Sequence, residues 1–499
     1  MRIILGSVAV IAVAFAGGAG AHEGHHAIHL PGPAAGKVGT EADPVKRRWL
    51  AGDHHVHSRY SVSWTPSADG KSPPVAVLAG DARYPIPTNA AMAARHGLSW
   101  MVATDHGGPN HSKIARDQAY PELLDARRKT PGLIQFYGME LDTPGADHSS
   151  LIVPHSPGER QVLFDIESQF SKRDAWPLDP ARDSEARMVE ALKHMRDIAA
   201  PPVVIANHPS RSAKGLGIYG LTSPAELRDW NDAAPQVAIG MEGSPGHQAG
   251  TLKADGSTDP EDVRGAYKNA ATMGGFDQMT ARLGGFWDSM LGEARRWWIT
   301  STSDSHRHYT DGGNDFWPGE YAKTYVRAVK DYGDILDGLR EGRVFVTTGD
   351  LISELEVTAQ AADGHGPRAD IGGRLKAARG SDVTIVIRVR DPAGVNFGGR
   401  RPEVARVDLI RSEIGGPAAD RTSDRNARAR IEKRFYPIDW VREGDRLSMT
   451  VTLRNVTERT YVRVRGTSGL ELEPTPDPVG EDPWSDLWFY ANPVFIDPS

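Results

Sequence analysis

The stretch RWLAGDHHVH, residues 48–57, decides the fold class, because a short apolar run ends there in a group of imidazoles. Such a run is typical of a buried strand. In a β/α barrel the carboxyl ends of the strands carry the active-site residues. Side chains two apart along a strand point to the same side, so we predict that His55 and His57 project together while His54 faces away.

The same arrangement recurs along the chain. From residue 49 to residue 350, apolar runs alternate with helix-like segments; the runs are Arg48–Gly52, Leu98–Ala103, Leu133–Met139, Ser149–Val153, Pro202–Ala206, Val237–Met241 and Trp297–Thr300. Polar groups stand at the ends of most of them: Thr104-Asp105-His106, Glu140, Asp147-His148, Asn207-His208-Pro209 and Ser303-Asp304-Ser305-His306. Strand–helix alternation predicts a parallel sheet, and this many repeats predict a closed barrel, whose strand ends meet at one mouth.

The residue types at these ends indicate a metal centre. Imidazoles and carboxylates without thiolates suit Zn²⁺, Mn²⁺ or Fe²⁺, and the chain contains no Cys. A single His after a strand is more often a hydrogen-bonded structural residue, so the prediction rests on the convergence of the whole set. There are enough ligands for two or three divalent ions, and ions about 3.5–4 Å apart can share and activate a hydroxide.

This ordered set resembles the PHP (polymerase and histidinol phosphatase) superfamily over residues 49–350, and the run Gly342–Gly349 resembles the closing segment of that family's barrel. The resemblance implies a distorted seven-stranded β/α barrel and, for most members, phosphoester hydrolysis. It also implies a ligand set: His55, His57, Glu140 and Asp304 for a first metal, Glu140 with His148 and His208 for a second, and His106 and His306 for a third.

The third position differs from the family pattern, which often supplies another His or Asp a few residues after the HxH motif. Residues 58–63 here read SRYSVS. His106 and His306 are therefore alternatively groups that bind substrate or move protons. Together with Asp304 they are the predicted catalytic residues.

Other candidates rank lower. Arg211 and Arg59 are the predicted substrate-binding residues, since a guanidinium can clamp a phosphoryl group through two hydrogen bonds, although surface arginines beside a loop are as common. Asp105 is predicted to orient a neighbouring imidazole. Glu242 and His247 are favoured as structural residues or as residues behind the ligands.

The rest of the chain divides by composition. Residues 1–21 have the pattern of a cleaved secretory signal, so we expect a periplasmic or secreted protein without a membrane anchor after cleavage. Residues 22–48 read as a His/Pro/Gly-rich linker and residues 212–296 as an insertion. The short β-like runs of residues 351–499 predict a small all-β, sandwich-like domain that supports the barrel and supplies no catalytic group.

The leading functional hypothesis is a metal-dependent phosphoesterase for a small-molecule phosphoester. A diester is favoured over a dianionic monoester, which gains most from a third metal. The net charge of −7 and the lack of a long basic run argue against a stable nucleic-acid partner. The open alternatives are a phosphomonoesterase, a carboxylester or carbamate hydrolase with the same metals (the resembling branch also contains carbamate hydrolases), and a periplasmic metal-binding protein with a His-rich start.

Overall fold

The computed structural model describes residues 46–499. The predicted signal sequence and nearly all of the predicted linker lie outside these residues. No helix in the described part of the chain is both long and apolar enough to cross a membrane.

The first three hundred described residues mix strands with helices. Their strands are β1 (Arg48–Val56), β2 (Ser63–Thr65), β3 (Val75–Val77), β4 (Trp100–Ala103), β5 (Ile134–Asp142), β6 (His148–Val153), β7 (Val203–Ala206), β8 (Ala238–Ser244), β9 (Trp298–Ser301), β10 (Ala322–Ala328) and β11 (Val344–Thr348). Their helices are α1 (Ile86–Arg95), α2 (His111–Ile114), α3 (Tyr120–Lys129), α4 (Glu159–Phe170), α5 (Glu185–Asp197), α6 (Pro224–Ala233), α7 (Gln278–Ala281), α8 (Phe286–Gly292) and α9 (Tyr332–Arg340).

The remaining residues form strands: β12 (Glu354–Ala361), β13 (Arg368–Ala369), β14 (Arg374–Ala377), β15 (Ser381–Arg390), β16 (Arg406–Glu413), β17 (Arg430–Phe435), β18 (Val441–Glu443), β19 (Arg446–Val456), β20 (Thr460–Thr467), β21 (Trp488–Ala491) and β22 (Val494–Pro498). Each apolar run named above contributes residues to a strand, because each is short, apolar and bounded by turn-forming or polar residues. The chain is therefore a mixed α/β protein with additional all-β structure.

One large sheet runs through the molecule in the order β14-β22-β20-β21-β11-β10-β1-β4-β5-β6-β7-β8-β9, with β16 and β17 branching from β20. The expectation of a parallel sheet is wrong for part of it, because β6 is antiparallel to both β5 and β7. Only residues 143–147 separate β5 from β6, too few for the crossover that parallel neighbours need. A second sheet, β13-β12-β15-β19-β18, consists of C-terminal strands alone.

Close packing holds β1 against β4. Gly52 pairs with Trp100, and a Cβ at Gly52 would lie 1.9 Å from the Trp100 ring. A glycine is therefore required at this position. The main hydrophobic core combines the strands of the α/β part with the buried faces of its helices, such as Met188, Leu192 and Met195 on α5. Because this core fixes the strands, the polar residues at their ends are held in place.

The C-terminal strands are continuous with the α/β part of the sheet. β21 lies antiparallel to β11 through Phe345–Thr347, which belong to the run compared above with a closing segment. A second hydrophobic core, which includes Ile385, Ile387 and Val464, lies mainly among the C-terminal strands.

Candidate metal centre

The strand ends bring the predicted ligands together. Donor atoms of three groups lie within 4.8 Å of one another: His55 with His57 and Asp304, Glu140 with His148 and His208, and His57 with His106 and His306. β6 enters this edge of the sheet with its first residue, His148, because it runs antiparallel to β5. The three groups share residues or contacts, so they form one cluster.

Glu140 lies at the centre of the cluster. Its Oε1 is 3.1 Å from His55 Nε2, 3.2 Å from His148 Nδ1 and 3.1 Å from His208 Nε2. Its Oε2 is 3.5 Å from His57 Nε2. One carboxylate therefore faces both of the two groups that were expected to hold separate ions.

Asp304 faces the first group from the opposite side. Its Oδ1 lies 3.0 Å from His55 Nε2 and 3.1 Å from His57 Nε2. Its Oδ2 accepts a hydrogen bond of 2.7 Å from Arg211 and lies 3.1 Å from His247 Nε2. The residue has a positive φ of 49°, which is uncommon outside glycine and turns its side chain into the cluster.

A hydrogen-bond chain fixes the ring of His57. The Ser61 hydroxyl donates to Asp105 Oδ1 at 3.0 Å, so its oxygen is free to accept from His57 Nδ1 at 2.8 Å. With the proton on Nδ1, the Nε2 of His57 presents a lone pair to Glu140 and Asp304. His54, in contrast, points the other way and bonds Ser150 Oγ and Thr300 Oγ1.

The third group contains a carboxylate that the sequence analysis missed. Asp81 Oδ2 lies 2.9 Å from His106 Nε2 and 3.4 Å from His306 Nε2. The rings of His57 and His306 stack at 3.9 Å between centroids, which joins this group to the first. Asp81 follows a hairpin, β2–β3, that stands between it and His57.

Neighbouring cationic groups keep the two central carboxylates of the cluster deprotonated. Burial raises the pKa of Glu140, but His148 and His55 lower it more, and its net pKa lies well below the ordinary value. The pKa of Asp304 is likewise lowered, since His247, His55 and Arg211 outweigh the effect of burial. Burial and the neighbouring His306 hold the pKa of His57 well below its ordinary value, which keeps that ring neutral, the form that binds metals.

His55 experiences the opposite balance. Burial lowers its pKa, but Asp304, Glu140 and Glu242 raise it well above the ordinary value. The carboxylates that attract a proton to this ring also attract a divalent cation, and the two compete for it.

The residues fit metal ions. His57 Nε2, His148 Nδ1 and Asp304 Oδ1 are buried and have no hydrogen-bond partner. Buried polar atoms are nearly always paired, so unpaired ones indicate a missing partner. His57 Nε2 and Asp304 Oδ1 lie 3.1 Å apart and face each other. Imidazole nitrogens and carboxylate oxygens that converge in this way are the donors that Zn²⁺, Mn²⁺ and Fe²⁺ accept.

The two predicted substrate-binding arginines lie in different surroundings. Arg211 contacts the cluster through Asp304, and its Nε is buried without a partner. Arg59 turns away from the cluster toward Tyr60 and Glu122. His247 lies behind Asp304, which it joins to Asp315, and Asp315 Oδ2 accepts from the backbone N–H of His306 at 2.7 Å.

Asp142 was also missed, although a signal for it exists. It lies two residues after Glu140 on β5 and faces the same side, with Oδ1 3.4 Å from His148 Nε2 and 3.3 Å from Arg173. The alternation that pairs His55 with His57 applies equally to Glu140 and Asp142. Asp81 had no such signal, because it stands far along the chain from the HxH motif.

Comparisons with known proteins add little. No protein-family model matches the chain, and no curated protein matches it either. A solved structure with some similarity is that of Endonuclease Q in complex with a 27-mer duplex substrate with an abasic lesion at the active site. The match has 13% identity and a TM-score of 0.26, and it covers 59% of this chain and 56% of the endonuclease chain. A similarity this low is no basis for assigning the fold or the activity.

Proposed function

We propose that the protein is a metal-dependent hydrolase of phosphoester bonds, of the PHP type. The observation that carries the proposal is Glu140, a buried carboxylate whose two oxygens lie within 3.5 Å of ligands from both groups. A carrier protein needs one accessible site, whereas a carboxylate shared in this way belongs to a fixed cluster of ions. The His-rich start, which favoured a carrier, lies outside the described residues.

Divalent ions in this cluster would polarise a phosphoryl oxygen and lower the pKa of a bound water molecule to about 7. The chain's own residues supply the rest. The Arg211 side chain is 22% exposed beside Asp304, and its guanidinium would bind a phosphoryl oxygen. His106 and His306, both partly exposed at the cluster, would bind substrate or move a proton only where they hold no ion, and their contacts with Asp81 favour the role of ligands.

We also propose a third metal position at Asp81, His106 and His306. Support comes from the contacts of Asp81 Oδ2 with the Nε2 atoms of both imidazoles. Asp81 would take the place of the ligand that residues 58–63 lack. The predicted preference for diesters was argued from the missing third-metal ligand. If Asp81 supplies that ligand, this argument no longer holds, and the preference stays a prediction.

We further propose that the large-sheet strands β10, β1 and β4 to β9 close into a barrel, from which the separate hairpin β2–β3 is excluded. Support comes from hydrogen bonds that join β9 and the residues after it to β10 and β1, which are not its neighbours in the sheet order. Thr324 Oγ1 on β10 accepts from the backbone N–H of Ser301 at 2.8 Å and donates to its carbonyl at 2.7 Å. Ser303 N–H donates to Asp53 at 3.1 Å, and Val56 forms a bridge with Ser305.

The test is a hydrolysis panel with protein loaded with Mn²⁺ or Zn²⁺. Matched p-nitrophenyl phosphomonoesters, phosphodiesters, carboxylesters and carbamates are compared by kcat/KM, and bound metal is counted after dialysis. We expect two or three ions per chain and the highest kcat/KM for a phosphoester. Turnover of carboxylesters or carbamates alone would replace this proposal by the alternative hydrolase. One ion per chain and no turnover would favour a metal-binding protein.

The Asp81→Asn variant tests the third position in the same assay. We expect it to bind one ion fewer than the wild type while the other ions remain. Asp69→Asn, in the exposed turn of the same hairpin, is the matched control. Wild-type metal content in Asp81→Asn would remove Asp81 from the ligand set.

A further inference from the structure

Glu242 lies on β8 behind the metal cluster and connects three strand ends. Its Oε1 is 2.6 Å from His55 Nδ1 and accepts from Thr302 Oγ1 at 2.7 Å. Its Oε2 accepts from the backbone N–H of His208 at 2.6 Å. The residue is completely buried, so water cannot hydrogen-bond its oxygens, and loss of any of these bonds would leave a buried polar atom without a partner.

The bond to His55 selects the form of that ring. A carboxylate only accepts hydrogen bonds, so Nδ1 of His55 carries a proton, and Nε2 faces Glu140 and Asp304. The contacts of Asn207 support the assignment of the His55 proton to Nδ1. The backbone N–H of Ser150 donates to its Oδ1, which directs its NH₂ group toward His55 Nε2 at 3.3 Å.

The bond to His208 holds a strained backbone. His208 has a φ of 28°, in the region that non-glycine residues avoid, and such conformations persist only where their surroundings enforce them. A charge-assisted bond from Glu242 to the N–H of this residue is a strong restraint. The turn places His208 Nε2 3.1 Å from Glu140.

We propose that Glu242 is a positioning residue on which both the first and the second metal positions depend, because one carboxylate sets the ring of His55 and the backbone of His208. The inference rests on the metal centre of the proposed function, but not on any substrate. Other carboxylates at the cluster act more locally: Asp142, for example, contacts His148 but not His55.

The Glu242→Gln variant tests the proposal, because the amide has one acceptor and one donor end. If its oxygen faces His55, its NH₂ meets the N–H of His208, and two donors oppose each other. If its NH₂ faces His55, Nδ1 must become an acceptor, and the proton moves to Nε2, where the ion binds. Either orientation disturbs one group directly, and the shared Glu140 transmits the disturbance to the other.

Binding of Co²⁺ and Zn²⁺ to the full chain is measured by calorimetry and by the Co²⁺ absorption spectrum, without substrate. We expect Glu242→Gln to lose at least about 10-fold in affinity for each of two ions, within the range seen when partners of ligands are removed. Asp142→Asn should weaken one ion only. Glu167→Gln, which removes the same kind of buried carboxylate from His111, a histidine outside the cluster, should weaken none.

Wild-type affinity for both ions in Glu242→Gln, or loss of one ion only, would overturn the proposal. A wild type that binds its ions but hydrolyses no ester would instead refute the proposed function and leave this inference intact. If Glu242→Gln does not fold, the wild type still gives an answer. Nitrogen-15 spectra of histidine-labelled, Zn²⁺-loaded protein, assigned with His55→Gln, should show His55 protonated at Nδ1, and protonation at Nε2 would contradict us.

Discussion

Two buried carboxylates differ in whether the protein itself supplies hydrogen-bond donors to both of their oxygens. At Asp288, all four acceptor positions are used: Arg463 donates to both oxygens at 2.7 Å, Tyr461 to one at 2.8 Å and the backbone N–H of Gly284 to the other at 2.7 Å. At the metal cluster, His57 Nε2 and Asp304 Oδ1 face each other at 3.1 Å without hydrogen bonds.

The difference separates a structural cluster from a functional one. Asp288 and Asp304 are equally buried, and the pKa of each lies below its ordinary value. Burial and pKa therefore do not distinguish them. What distinguishes them is that a guanidinium neutralises both oxygens of Asp288, whereas one oxygen of Asp304 is buried without a hydrogen-bond donor.

The largest effect on folding is expected at Asp288. Asp288→Ala leaves the Arg463 guanidinium buried without a counter-charge, and breaking a buried pair in this way costs about 3–5 kcal/mol. We expect the free energy of unfolding in urea to fall by that amount, while the number of bound ions in the folded protein stays unchanged. A loss below about 1 kcal/mol would show that this cluster is not the structural one.

A change at the metal cluster should have the converse effect. Asp304→Ala or Glu140→Ala removes a charged ligand, and we expect less bound metal and a kcat lower by a factor of at least about 10². Metal-free stability should fall by less than in Asp288→Ala, since the imidazoles left behind can release their protons and Arg211 is partly exposed, whereas the Arg463 guanidinium is fully buried and stays charged. The measurements are metal content, kcat for the best ester of the panel, and urea unfolding with a chelator present. Wild-type metal content together with wild-type turnover would refute the site.

The same comparison shows how far the sequence alone could go. Strand positions and the alternation of His55 and His57 follow from local patterns, which is why candidate ligands could be named at strand ends. Asp81 could not, because a hairpin separates it from His57 in sequence and the fold brings it back. The antiparallel β6 was missed because strand–helix alternation was extended across a connection that contains no helix.

Partners of the ligands were the hardest to predict. Asp105 was predicted to orient a neighbouring imidazole, and its contact with His57 passes through Ser61, which the sequence did not indicate. Glu242 touches residues from three strand ends, and nothing in the order of the chain indicates that they meet. Such contacts depend on tertiary structure alone.

Glu226 is a third kind of buried acid, paired with neither a cation nor the candidate metal site. Its substitution gives the smallest predicted effect, a pH-dependent change in the free energy of unfolding. Burial, and then the nearby Glu185, raise its pKa to about 8. An unfolded chain would release this proton near its ordinary pKa of about 4.3. Between these two pH values the folded protein binds the extra proton, so the contribution of Glu226 to stability falls as pH rises from about 4.3 to 8 and is constant above that.

Glu226→Gln removes this titration and keeps an acceptor for the backbone N–H of Ser223, which caps α6. We expect the variant to gain stability relative to the wild type as pH rises, by about 1 kcal/mol or more between pH 5 and pH 9. Urea unfolding of both proteins at the two pH values measures the difference. Glu190→Gln on α5, whose side chain is 59% exposed, is the control and should show no such trend. If the Glu226→Gln difference does not change with pH, or if it decreases as pH rises, Glu226 does not hold a proton in the folded protein.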